Sequence, residues 1–222
     1  HPHRQPKRLS HVLACLAYFL SYPPIVTNLE FRVNSQQEEF VMKPTALVLI
    51  DIQNDYFLGG MKPLPSMETA AANAARLLHA ARDRGEPVFH IRHIAASKDA
   101  PFFRPGTDGS KINDTVSPKP DEPVFEQSRP NSFIGTGLEA AVRENGIKHL
   151  ILCGAMSQMC VDATARAAVD MGFQITVVSD ACAAAVVTHA GVTVPAEMVH
   201  AAIMAPLAAS YGKIVMTDDL EV

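Results

Sequence analysis

The chain has 222 residues, 48% of them apolar and 19% charged, with a formal net charge of −4. This is the composition of one globular domain, near the upper size for a single core. The body of the chain has no basic run and no Trp, and only 6% of residues are aromatic, which excludes a nucleic-acid surface, a stacking platform for single strands and an anionic-membrane partner.

Residues 1–41 open with His1, His3, Arg4, Lys7 and Arg8, followed by the apolar run 12–20 and then Pro23 and Pro24. A basic start before a short apolar run resembles a targeting segment, and the run is too short to span a bilayer. Met42 reads as a natural domain start, so 1–41 is set apart as an extension and 42–222 as the folded domain. Cysteines stand at 15, 153, 160 and 182, without the CxxC spacing of a zinc cluster. Free thiols in a cytoplasmic, reducing setting are expected.

From Pro44 onward, apolar runs alternate with helical stretches. The run 46–50 suits a strand buried on both faces. Ser66 is placed to cap a helix to about Arg84, with Ala70, Ala74, Leu77, Leu78 and Ala81 at helical spacing and Gly85 as its stop. Residues 88–94 form a second strand. The segment 97–123, rich in Pro, Gly, Asp and Lys, reads as a long irregular loop of the kind that carries function. A short extended piece at 124–126 precedes a helix from Gly135 or Thr136 to Gly146. Then come a strand at 149–153, a helix from Ser157 to about Gly172, a strand at 173–178, a helix from Pro195 to about Ala208 and a last strand at 213–216. Strands alternating with helices predict a single α/β domain, doubly wound in the Rossmann manner, with a central parallel sheet flanked by helices.

Ligands of such sheets bind beyond the carboxyl ends of the strands. Asp51 falls at one such end, directly after an apolar run, where poor solvation raises a carboxyl pKa towards the range of a general base. Cys160 falls at another. Gly154 permits a sharp turn after the strand, and with Ser157 as N-cap Cys160 takes the third helical position. There the unpaired N–H groups and the helix dipole favour thiolate and can hold an oxyanion. Cys153, within a strand, and Cys182, in an Ala-rich stretch, read as structural core cysteines.

Three segments carry a resemblance to a known family: LIDIQND at 49–55, RPNSFIGT at 129–136, and CGAMSQMCVDATAR at 153–166 followed by SDACA at 179–183. Over roughly Thr45 to Val215 the chain resembles the isochorismatase-like cysteine hydrolases, which include nicotinamidases and amidohydrolases of N-carbamoylsarcosine, ureidoacrylate and biuret. The resemblance implies an Asp–Lys–Cys triad, with Cys160 as nucleophile and Asp51 as acid/base. It also implies a cis peptide between Ala155 and Met156 that turns the Met156 N–H to the oxyanion beside the Cys160 N–H. The chain departs from the pattern at the lysine, six residues before Phe133, where Gln127 stands. Gln donates hydrogen bonds but carries no charge, so the thiolate loses a cation. Arg129, two residues on, is a candidate substitute, because i and i+2 of an extended segment share a face. The alternative is a weakened or inactive member that serves as a small-molecule binding protein.

The nicotinamidase metal pattern, Asp-x-His after the second strand, is absent from HIRHIAA at 90–96, and His90 and His93 at i and i+3 of a strand point to opposite faces. Neither a metal site nor a cofactor is predicted. FFRPGTDG at 102–109 resembles the pocket-covering loop of metal-free members. Phe57 and Phe133 are candidate walls over a small planar substrate, and His93 is a candidate hydrogen-bond donor to it. The expected partners are a small-molecule substrate and further copies of the chain, as dimer or tetramer.

Overall fold

The computed structural model describes residues 44–220; the expected extension 1–41, with Cys15, lies outside the described residues. In chain order the elements are β1 (Thr45–Ile50), α1 (Met67–Asp83), β2 (Val88–His93), β3 (Val124–Gln127), α2 (Leu138–Glu144), β4 (His149–Ala155), a π-helical turn (Ser157–Val161), α3 (Asp162–Asp170), β5 (Gln174–Ala183), β6 (Val187–His189), β7 (Val192–Val194), α4 (Ala196–Ser210) and β8 (Lys213–Val215). Six strands form one sheet in the order β3-β2-β1-β4-β5-β8, and every pairing is parallel. The chain winds outward from β1 to β3 and then returns to β4 on the other side of β1. The strand order therefore reverses between β1 and β4, the place where open parallel sheets bind their ligands, beyond the carboxyl ends.

The expected α/β architecture is the observed one, a parallel sheet flanked by helices. Ala46, Leu47, Val48, Leu49 and Ile50 are all buried, as a central strand covered on both faces requires. Helix α1 buries Ala70, Ala74, Leu77, Leu78 and Ala81 along one stripe and packs across β1, β4 and β5. It ends at Gly85, whose φ of +66° lets the Glu86 N–H close back onto the Ala81 carbonyl. Gly154 serves a closer approach: a Cβ there would stand 1.9 Å from the Ile50 carbonyl oxygen. Only glycine lets β4 pass β1 at this point, beside the irregularity between Leu152 and Gly154 in the β4–β5 ladder.

Several local expectations give way to packing. Ser66 adopts a left-handed conformation, and its side chain makes no cap bond to α1. Helix α2 starts at Leu138, after a left-handed Gly137, rather than at Gly135 or Thr136. β5 continues to Ala183, beyond the strand end read at 178, because its outer half pairs with the end of β4 (Gly154 with Cys182, Ala155 with Ala183). The hairpin of β6 and β7 was not expected. Residues 186–193 are exposed, so no buried face marks it in the sequence. No helix among the described residues is long and apolar enough to cross a membrane.

Candidate active site

Four neighbouring strands deliver the site. Asp51 follows β1, His93 ends β2, Gln127 ends β3 and pairs with His93, and Cys160 lies in the π-helical turn after β4. Asp51 is fully buried and held in a left-handed conformation (φ 51°), which Asp tolerates better than most residues. Its N–H donates to the Ile91 carbonyl at 3.0 Å, which fixes it to β2. Gln127 Nε2 donates to Asp51 Oδ2 at 2.7 Å, while Asp51 Oδ1 and Gln127 Oε1 are buried without a hydrogen-bond partner. An oxygen of Asp51, a ring nitrogen of His93 and Cys160 Sγ all lie within 4.8 Å of one another.

Burial raises the Asp51 carboxyl to about 7, with the side chains of Cys160 and Gln127 and the His93 backbone offsetting part of the rise. A carboxyl titrating there can both accept and return a proton near neutral pH. Burial, followed by the charge of Asp51, pushes the Cys160 thiol up as well; Gln127 and the Met156 backbone oppose this. Burial here therefore opposes the thiolate that a helix N-terminus favours. The turn is wider than an α-helix and begins one residue early, with Met156 as its N-cap. Ser157 is inside it, its hydroxyl 2.8 Å from His200 Nδ1 rather than capping the helix. The Ala155–Met156 peptide is cis, and both residues are buried. The Met156 carbonyl accepts from the N–H groups of Met159 and Val161, the latter across five residues in the π manner.

The family model described as isochorismatase domain matches residues 45–208, most of the chain. The chain belongs to the isochorismatase family. An uncharacterised isochorismatase family protein of Bacillus subtilis (strain 168), YddQ, is 47% identical over 174 residues, 78% of this chain and 97% of that protein. A crystal structure from Oleispira antarctica, assigned to the isochorismatase hydrolases, has a TM-score of 0.78 at 43% identity, covering 81% of this chain and 96% of that one. An N-carbamoylsarcosine amidase from Arthrobacter sp is 32% identical over 146 residues, 58% of this chain and 55% of that protein. At the coarse level the chain is therefore an isochorismatase-family hydrolase.

Within this family frame, not every candidate residue joins the cluster. Arg129 is exposed, beyond the end of β3, and makes no ion pair or hydrogen bond with a described residue, whereas Gln127 is buried on Asp51. The extended register stops at Gln127, so Arg129 does not supply the missing cation. Phe133 is buried, but its ring stacks on Phe173 just before β5, 6.1 Å between centroids. It belongs to the core rather than to a pocket wall. Phe57 is half-buried against the same core. The ring that reaches the site is Phe103, whose centroid lies 5.9 Å from that of His93 and 4.6 Å from that of Tyr56.

Two residues without a predicted role hold the covering loop in place. Gln53 donates to the carbonyls of His93 and Ser110, both at 2.9 Å, and accepts from the His93 N–H at 2.7 Å. Asp55 accepts from the N–H groups of Phe103 at 2.6 Å and Met61 at 3.1 Å, and a Cβ at Gly109 would collide with its carboxylate. Both lie in the segment 49–55. Their polar side chains beside a buried strand end were the available signal. His90 faces away from the site and bonds Glu122 Oε2 at 3.0 Å. Cys153 and Cys182 are buried free thiols, both pushed up by burial, Cys182 to about 12.

Proposed function

We propose that the chain hydrolyses a C–N bond of a small amide or carbamoyl compound through a thioester on Cys160. The observation that supports this best is the meeting of a buried carboxylate and a buried thiol at the reversal point of a parallel sheet. The likeness to an N-carbamoylsarcosine amidase points to the same class of bond.

In this reading Asp51 takes the Cys160 proton as sulfur attacks the carbonyl carbon, and the backbone N–H groups of Met156 and Cys160 hold the oxyanion. Asp51 then gives the proton to the departing nitrogen and activates the water that cleaves the thioester. Gln127 changes how the carboxylate is held. A lysine would pull the Asp51 pKa down by an ion pair, whereas the neutral amide orients Oδ2 and leaves the carboxyl basic. Assembly into a dimer or tetramer belongs to the same proposal.

The test is ammonia or amine release from a panel of small primary amides and N-carbamoyl compounds, by wild type, Cys160→Ala and Asp51→Asn. A substrate whose turnover falls about 10²–10⁴-fold in Asp51→Asn and vanishes in Cys160→Ala supports the reading. Full activity in Cys160→Ala refutes it. A second reading, a small-molecule binding protein, is favoured by the uncharged Gln127 amide on Asp51, where the resembled family has a lysine; its sign is ligand binding without turnover.

A further inference from the structure

We propose that Asp51, His93 and Cys160 form a site for one soft divalent cation of the zinc class, which masks the nucleophile while it is bound. The sequence gives no hint of this, because the three residues are far apart in the chain and match no ligand spacing.

The first support is geometric. Each residue offers one ligand atom, and the three atoms lie within 4.8 Å of one another. A tetrahedral zinc ion with bonds of ~2.0–2.3 Å sets its ligand atoms roughly 3.3–3.8 Å apart. The cluster therefore needs to close by about 1 Å, a movement of side chains alone. Asp51 and His93 are fixed by backbone pairing to β2 and β3, so the closing falls on χ rotations.

The second support is unmet bonding capacity. Asp51 Oδ1 and Gln127 Oε1 are buried without a partner. Asp51 is fully buried and Gln127 is 2% exposed. The His93 ring makes no hydrogen bond to a described residue and is only half-buried, which leaves the ion a way in. Buried acceptors without donors are unusual, and a cation is one group that satisfies them.

The third support is charge. Asp51 makes no ion pair with a described residue. The side chain against it is the neutral Gln127 amide. A carboxylate and a thiolate together carry two negative charges, which a divalent cation balances. Sulfur, imidazole nitrogen and carboxylate oxygen are the donor set that zinc prefers over magnesium or calcium. On binding, the sulfur–metal bond forms as the thiol proton leaves to solvent and a metal-bound water departs. Water completes the fourth position. That occupancy stops catalysis rests on the proposed role of Cys160; the binding itself does not.

The experiment uses the full chain, stripped with a chelator and titrated with Co²⁺ and Zn²⁺. One Co²⁺ per chain is expected to give the sulfur-to-cobalt charge-transfer band in the near ultraviolet, displaceable by Zn²⁺. The band is lost in Cys160→Ser and kept in Cys15→Ser and Cys182→Ser. Affinity falls at least tenfold in His93→Ala, and in Gln127→Lys through repulsion. In the wild type, Zn²⁺ protects Cys160 from iodoacetamide, read by peptide mass spectrometry, and needs no variant to fold. A band that survives Cys160→Ser, or Zn²⁺ that leaves Cys160 labelling unchanged, overturns the site. Cys160-dependent amide hydrolysis by the chelator-stripped chain without a cobalt band on titration refutes the site and leaves the proposed function standing; the band on titration with no hydrolysis by the stripped chain does the reverse.

Discussion

Gln127 and Asp51 are joined by a 2.7 Å hydrogen bond although their strands are not neighbours. The side chain of Gln127 reaches past the end of β2, which lies between β3 and β1, to the carboxylate. Burial is the main force on both Asp51 and Cys160, and Gln127 opposes it at both groups.

Gln127→Lys is expected to add an ammonium at this contact and to favour the ionised forms of both groups. Iodoacetamide labelling of Cys160 at neutral pH then rises about tenfold or more, the change for one pH unit of thiol pKa. Peptide mass spectrometry with Cys153 and Cys182 as internal references measures it. Unchanged labelling would mean that burial, and not the missing charge, sets the thiol.

Glu122 links the strap before β3 to α1 and β2. Burial opposes its ionisation, but the Arg82 fork, the Lys119 N–H and His90 outweigh that and hold the carboxyl at about 2. The folded pKa is below the ordinary 4.5, so the native state binds fewer protons than the unfolded one in this range. Its contribution to stability is complete above about 4.5 and is lost as pH falls towards 2. Glu122→Gln should be less stable than wild type near neutrality, and the gap should narrow on acidification. Urea midpoints at several pH values check this; a gap that is constant with pH contradicts it.

Asp55→Ala leaves the N–H groups of Phe103 and Met61 without their acceptor. The buried Phe103 donor left unsatisfied costs about 1–3 kcal/mol, while the exposed Met61 N–H can turn to water, and the covering loop loosens. Faster cleavage within 97–113 by a low dose of protease, together with a lower Tm, is the expected outcome. If the loop resists protease as before, Gln53 alone is enough to hold it.

Gly154→Ala and Gly85→Ala separate two uses of glycine. Both positions have positive φ, but only at 154 does a Cβ meet backbone, 1.9 Å from the Ile50 oxygen, whereas at 85 nothing lies within 4 Å. Gly85→Ala should cost ~1–2 kcal/mol, the conformational penalty alone. Gly154→Ala should cost at least ~3 kcal/mol or fail to fold. Equal losses in urea unfolding would contradict a close approach of β4 to β1.

The strands at the centre of the sheet and the long helix α1 were legible because unbroken apolar runs and a helical apolar stripe are local patterns. The outer half of β5 and the hairpin of β6 and β7 were not. The first is defined by pairing with β4, and the second has no buried face to betray it. Residue type makes Ser66 and Ser157 candidate caps, but a left-handed turn and the bond to His200 claim them instead. Phe133 shows the same limit: its apolar character was visible, its partner Phe173 was not.

By itself the sequence determined the parallel α/β architecture, the family, and the placing of Asp51 and Cys160 beyond strand ends, since these follow from local patterns along the chain. The tertiary structure alone decided that Gln127 and not Arg129 contacts the carboxylate, that Gln53 and Asp55 fasten the covering loop, and that His93 joins Asp51 and Cys160. These relations depend on strand order and on the depth of burial. Both arise only when segments distant in the chain are brought together in one sheet.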